Sequence, residues 1–170
     1  GSDTVAAKIK EAYSYGGARD FDVHFMERVY EQKFSVESVA LADAPKDKSS
    51  ALPVGRHLDG CRIGFDAGGS DRKVSAVIDG ESVYSEEVVW FPKTNSDPEY
   101  HYQGILEAMK TAASKMPRVD AIGVSSAGVY VDNRIMIASL FLKVSDEDFE
   151  KKVKNMYIDV AKEIGETIPI

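Results

Sequence analysis

Asp66, Gly68, Gly69 and Ser70 stand together between two apolar runs, Cys61-Arg62-Ile63-Gly64-Phe65 before them and Lys73-Val74-Ser75-Ala76-Val77-Ile78 after. A glycine backbone can bring its N–H groups close to phosphate oxygens, because no Cβ stands in the way. A carboxylate at the end of a strand can hold a hydrated Mg²⁺ against the same phosphates. The hydroxyl of Ser70 adds one more donor. These residue types in this order suit a phosphate-binding hairpin. Asp and Gly are also the ordinary residues of β-turns, so the residues alone leave a plain hairpin open. The spacing excludes two better-known phosphate loops. No G-x-x-x-x-G-K-[ST] occurs, and the glycines lead into a strand pattern, whereas the dinucleotide fingerprint leads into a helix.

The elements that must position these residues follow from periodicity. Residues 62–67, 74–78 and 82–91 read as strands, with Asp79-Gly80 as the hairpin turn between the second and third. Glu86-Glu87 predicts a third strand that is only half buried. Asp97 caps a helix with Pro98 at its first position, and Ile105, Leu106, Met109, Ala113 and Met116 form its apolar stripe up to Pro117. Residues 119–124 read as a short strand ending in Ser125-Ser126-Ala127-Gly128. An extended pair follows over 129–131 and 134–141. Ser145 then caps a helix with Asp146-Glu147-Asp148 in its first turn, where the helix dipole favours acid. Phe149, Val153, Met156, Tyr157, Val160 and Ile164 line one face, Gly165 closes it, and Thr167-Ile168-Pro169-Ile170 reads as the start of another strand.

The first part of the chain is different. Val5, Ile9 and Ala12-Tyr13 predict one helix, ended by Gly16-Gly17. Asp20 or Asp22 caps a second, with Phe25, Met26, Val29, Tyr30 and Phe34 on one face. Residues 35–41 fit helix and strand equally, and 43–60 are rich in Pro, Lys, Ser, Asp and Gly, as in a linker. The expected division is a helical extension with its linker over 1–60 and an α/β lobe over 61–170.

Composition narrows the function classes. At 44% hydrophobic and 29% charged residues the chain reads as an ordinary globular protein, and its net charge of −7 argues against a general nucleic-acid binder. Cys61 is the single cysteine, so no disulfide can form within the chain. No apolar run is long enough to span a bilayer and no secretory pattern is present, which makes a cytoplasmic location the default expectation. His24, His57 and His101 lack metal-ligand spacing and read as surface or core residues. Glu86-Glu87 and Asp146-Glu147-Asp148 read as a solvated strand and a helix cap. Trp90-Phe91 reads as core at a strand end.

The strand, the Asp-x-Gly-Gly-Ser run, two further strands, a helix and then Ala121-Ile122-Gly123-Val124-Ser125-Ser126-Ala127-Gly128 resemble the first lobe of the sugar kinase/actin/Hsp70 ATPase superfamily. Within it the chain looks most like the ROK group of bacterial sugar kinases and sugar-responsive repressors. The resemblance covers 61–170 and leaves the helical extension unmatched. It implies a ribonuclease-H-like α/β fold, a mixed sheet whose first three strands are antiparallel and whose later ones are parallel. It implies ATP and Mg²⁺ as cofactors, with Asp66 at the metal and Asp66, Gly68, Gly69, Ser70 and Lys73 at the phosphates. Ser125, Ser126 and Gly128 would line the sugar site, although Ser125-Ser126 also fits a capped turn. The implied activity is transfer of the γ-phosphoryl group to a sugar hydroxyl.

Two departures qualify the resemblance. The family places a lysine directly after the hydroxyl residue, whereas Asp71-Arg72 intervene here before Lys73. That predicts a longer turn with an added acid, and resembles the activating ATPases of 2-hydroxyacyl-CoA dehydratases, whose iron–sulfur cysteines this chain does not supply. The Asn-Asp pair that carries the family's catalytic base is expected beyond Ile170, so the chain reads as an inactive piece of a longer kinase, with Gly1-Ser2 a cloning remnant. Its expected partners are nucleotide and sugar, not membrane or nucleic acid, with a second lobe or a second copy left open. A sugar-sensing regulator without catalysis is the competing class, set back by the absence of a recognition helix in the extension.

Overall fold

The computed structural model describes residues 2–47 and 57–167. The chain divides into two compact units, Gly1–Val54 and Gly55–Ile170. In the first, α1 (Asp3–Ala12) is capped by Ser2, whose Oγ accepts the Val5 N–H, and α2 (Asp20–Tyr30) ends on left-handed Glu31. Arg19 occupies the cap position of α2 without a side-chain bond, so neither Asp20 nor Asp22 is the cap. Val23 and Val29 are the buried residues of α2, while Met26 and Tyr30 are exposed, which rotates the buried face away from the expected stripe. Residues 35–40 form neither helix nor strand; a short 3₁₀ turn follows at Leu41–Asp43. Residues 48–56 of the expected linker lie outside the described residues.

The second unit is α/β. Its strands β1 (Cys61–Ala67), β2 (Asp71–Ile78), β3 (Glu81–Val89) and β4 (Ala121–Ser126) form one mixed sheet in the order β3-β2-β1-β4. The first three pair antiparallel and β4 adds parallel to β1. The β2–β3 turn uses Asp79 at φ 49° and Gly80 at φ 86°, the positive pair that a two-residue hairpin requires. Asp132 and Asn133 do the same between β5 (Gly128–Val131) and β6 (Arg134–Ala138), a separate antiparallel hairpin. The extended stretch after Arg134 stops at Ala138, and Ser139–Phe141 tighten into a 3₁₀ turn.

Period-two alternation sorts the sheet into two faces. Cys61, Ile63, Phe65 and Ala67 of β1 and Val74 and Ala76 of β2 are buried, and they pack with α3 (Pro98–Ala113) and the C-terminal helices. Arg62, Gly64, Asp66, Lys73 and Ser75 lie on the opposite face. Asp97 caps α3 through the Glu99 N–H, and Ile105, Leu106, Met109, Ala113 and Met116 are all buried as the stripe requires. His101, fully buried on α3, sets Nδ1 2.9 Å from the Asp97 carbonyl and Nε2 3.0 Å and 3.2 Å from those of Pro92 and Leu140. It thereby ties the helix to the turns after β3 and β6.

The final helical stretch is not one helix. Ser145 caps α4 (Asp146–Asp148), a π-helical turn spans Phe149–Val153, and α5 (Met156–Thr167) follows. All six residues expected on its apolar face are buried, because the inserted turn keeps Phe149 and Val153 in phase with Met156 and Val160. Gly165 does not close α5, which continues to Thr167. Residues 168–170, read from sequence as a strand start, lie outside the described residues. Glu163 on α5 accepts from Tyr102 Oη and from Lys110 Nζ, each at 2.6 Å, and locks α5 to α3. Lys110 and then Tyr102 hold the Glu163 carboxyl below the ordinary range; burial, with Glu163 beside it, pushes Tyr102 up to about 12. Among the described residues no helix is long and apolar enough to cross a membrane.

Candidate functional site

The turn between β1 and β2 is confined to Gly68, Gly69 and Ser70. Asp71, Arg72 and Lys73 already belong to β2, where Arg72 faces Ala67 and Lys73 faces Asp66. The longer turn expected from the lysine spacing is therefore not formed. The reason is local. A Cβ on Gly68 would lie 2.5 Å from the Asp71 carbonyl oxygen, so only glycine lets the chain reverse this tightly.

Trp90 fixes the turn from behind. Its indole Nε1–H donates to the Gly68 carbonyl at 2.8 Å and its backbone N–H to the Ser70 carbonyl at 3.1 Å. The ring is 2% exposed and packs against Gly104 of α3, where a Cβ would stand 3.4 Å from its ring carbons. The Arg72 guanidinium lies over the same indole, 5.9 Å from the centroid, and pairs with Glu107 at 3.2 Å. Both bonds from Trp90 are taken by carbonyls, those of Gly68 and Ser70. The N–H groups of Gly68, Gly69 and Ser70 meet no acceptor among the described residues.

Charges surround it. The Asp66 carboxylate makes no side-chain hydrogen bond and no ion pair within 4 Å among the described residues. Lys73, directly across the ladder, turns instead to Asp71 at 3.0 Å. That contact, and then Glu87, keeps the Asp71 carboxyl below its usual range, and Asp71 raises the Lys73 ammonium. Lys93 supplies a second cation: a Cβ on Gly69 would lie 2.6 Å from its Nζ, so the ammonium rests against the glycine. Sequence reading missed Lys93 and the clamp of Trp90, since both depend on how the segment after β3 folds back.

The parallel register of β1 and β4 sets Asp66 opposite Ser125 and Ala67 opposite Ser126. Both serines are the last residues of β4, so the capped-turn alternative is not what forms. Adjacent residues of a strand point to opposite faces. Ser125 shares an open groove of about 660 Å³ with Gly64, Asp66, Lys73, Ser75 and Glu87. Ser126 looks into a different cavity of about 690 Å³ between β4 and α5. There the buried hydroxyls of Ser126, Tyr130 and Tyr157 cluster. Burial, and then the neighbouring Tyr130, pushes Tyr157 well above the ordinary phenol range. Gly128 opens β5 at φ 154° against Ile137 and Ala138 of β6, where no side chain fits, so its position is accounted for by the hairpin itself. The expected sugar-site trio is thus split: Ser125 lies with Asp66, and Ser126 and Gly128 do not.

His24 and His57 are exposed and His101 is core. Trp90 is core, as read from sequence, whereas Phe91 is 66% exposed. Glu86 and Glu87 are exposed on β3. The described residues contain no group of three or more His, Cys, Asp or Glu side chains that could hold a metal by themselves, so a cation here would be shared between Asp66, water and its own ligand. No family model and no curated protein matches this chain.

Proposed function

We propose that the β1–β2 turn binds the phosphates of ATP, with Mg²⁺ held at Asp66, in the first, ribonuclease-H-like lobe of an ATP-dependent sugar kinase of the ROK type. The observation that carries this reading is the arrangement at the ends of β1 and β4. Asp66 and Ser125 share one groove on one sheet face, and the turn with its three N–H groups left without an acceptor follows directly on β1. A bare turn needs none of these left unpaired.

The division of labour follows from the chemistry of each group. The N–H groups of Gly68, Gly69 and Ser70 would donate to terminal phosphate oxygens, and the Lys93 ammonium would offset their charge. Asp66 would hold the metal through water, as a single carboxylate suits Mg²⁺. Bound Mg²⁺ supplies neutralisation of the charge that develops on the transferred group. Phosphoryl transfer demands positioning and electrostatic stabilisation above all, and a turn whose carbonyls are already tied to Trp90 needs no rearrangement to present its donors. Ser125 would orient the acceptor hydroxyl of the sugar.

The test is calorimetric titration of ATP onto this chain with Mg²⁺ and with EDTA. The reading expects Mg²⁺-dependent binding that weakens at least tenfold, about 1.4 kcal/mol, in Asp66→Asn. Equal affinity in the two proteins, or equal affinity with and without the metal, would refute it.

A further inference from the structure

His101 is fully buried on α3, and the hydrogen-bond partners of its ring are all carbonyl oxygens. Nδ1 stands 2.9 Å from that of Asp97, and Nε2 stands 3.0 Å and 3.2 Å from those of Pro92 and Leu140. A carbonyl oxygen accepts and never donates. The neutral imidazole has one N–H and one lone pair, whereas the imidazolium donates from both nitrogens. A neutral ring would therefore set a lone pair against an oxygen at bonding distance, whichever tautomer it took. Only the doubly protonated ring satisfies both sides. A buried cation is costly unless its donors are met, and here three carbonyl dipoles meet them.

No carboxylate shares that task. The Asp97 carboxylate accepts from the Glu99 N–H, and the Tyr100 ring stands edge-on to the imidazole at 5.6 Å with its hydroxyl accepting from the Phe91 N–H. Lys152 of the π-helical turn acts on Asp97 and Glu99. Lys93 is the charged group of the Pro92–Thr94 turn, while Trp90 and Phe141, 6.4 Å and 4.9 Å from the ring, bring no charge.

The three carbonyls are not equally fixed. That of Asp97 belongs to the helix cap, where it accepts the first bond of α3. Those of Pro92 and Leu140 belong to three-residue 3₁₀ turns, Pro92–Thr94 and Ser139–Phe141. Loss of a ring proton therefore falls on the turns. Lys93 lies in the first of them, with its ammonium against Gly69.

We propose that His101 is a positioning residue for Lys93: as an imidazolium it holds the 92–94 turn so that the ammonium rests on Gly69, and it releases that turn when the ring loses a proton. The latch is closed below the midpoint of the ring's titration and opens as pH rises through it. Its effect on ATP rests on the phosphate reading, whereas the latch itself does not.

Nitrogen NMR of the ring and backbone amide shifts across a pH series test it on the full chain, comparing the parent with His101→Gln. Glutamine reaches the Nε2 position with an amide that donates at every pH. In the parent both ring nitrogens are expected to carry protons at the acid end, and the Gly69 and Thr94 amides to move with the ring's midpoint. In His101→Gln both amides are expected to stay flat. ATP with Mg²⁺ should bind the parent roughly threefold more weakly above that midpoint than below it, and the variant equally on both sides. A ring whose proton count never changes overturns the proposal. So do Gly69 and Thr94 amides that ignore the ring or still move in the variant, and a parent affinity that stays constant across the midpoint. A parent that binds no ATP at any pH refutes the phosphate reading instead, and the ring and the amides then decide the latch.

Discussion

The turn at Gly68–Ser70 and the outer edge of β4 belong to one sheet, and both expose backbone groups, yet they are built oppositely. At the turn two of the three carbonyls are held by Trp90, and the three N–H groups meet no acceptor among the described residues. Along the outer edge of β4 donors and acceptors alike have no neighbouring strand among the described residues. A surface that presents one polarity in a fixed array suits a small ion. A surface that alternates both polarities at strand spacing suits polypeptide. Which backbone groups the fold anchors therefore separates the two kinds of site better than exposure does.

The strongest way to break this contrast is to remove its anchor. Trp90→Ala empties a fully packed position and frees the Gly68 carbonyl, leaving the backbone bond to Ser70 in place. It is expected to cost about 3–5 kcal/mol in urea denaturation, with loss of nucleotide binding. Trp90→Phe keeps most of the packing and deletes one bond, with an expected cost of about 1 kcal/mol. Preserved ATP affinity in that variant would show that the clamp does not preorganise the donors.

The two glycines sharpen the comparison further. Gly68→Ala sets a Cβ against the backbone oxygen of Asp71, which cannot move aside, and an expected cost of about 1–3 kcal/mol follows. Gly69→Ala meets only the end of the Lys93 side chain, so its stability should stay within about 0.5 kcal/mol of the parent. Its ATP affinity should nevertheless fall, and fall less at high salt, because the displaced group is a cation. Matching effects of the two substitutions on stability would mean that the turn is looser than described.

The smallest effect concerns the other end of β1. Asp120 accepts from Arg118 Nε and from the Cys61 N–H, each at 2.7 Å, and in that order these bonds lower its carboxyl below the ordinary range. A carboxylate lowered on folding stabilises the fold above its unfolded value, about 3.9, and loses that contribution as pH falls through the lower folded value. Asp120→Asn should therefore flatten the acid limb of a urea-midpoint profile and leave the profile above pH 5 nearly parallel to the parent's. An unchanged acid limb would remove Asp120 from the account.

What could be read from the sequence was whatever is decided within a few residues. The Asp97-Pro98 start of α3, the Asp79-Gly80 turn and the apolar stripe of α3 are local matters of capping, φ and periodicity. The burial of Phe149 through Ile164 was also readable, although the π-helical turn that keeps those residues in phase was not. The candidate site was legible in its motif and illegible in its machinery. Asp66 and the glycines announce themselves, but the Trp90 clamp needs Gly104 of a distant helix to make room, and Lys93 reaches Gly69 only because residues 92–94 coil back. The split of Ser125 from Ser126 follows from a strand pairing that joins segments some sixty residues apart. Val23 was missed because the buried side of α2 is set by the residues it meets within its unit and not by its own hydropathy.

The register of β1 carries a consequence for how this chain can change over generations. Asp66 reaches the open face only because Phe65 and Ala67 on either side are committed to the core. Deleting or inserting one residue in β1 would exchange those roles, burying the carboxylate and exposing the phenyl ring. Stability and chemistry thus share a single reading frame of alternating side chains, and a lineage cannot alter the length of this strand without forfeiting both. The turns at Asp79-Gly80 and Asp132-Asn133 carry no such burden, and length variation between descendants should collect there.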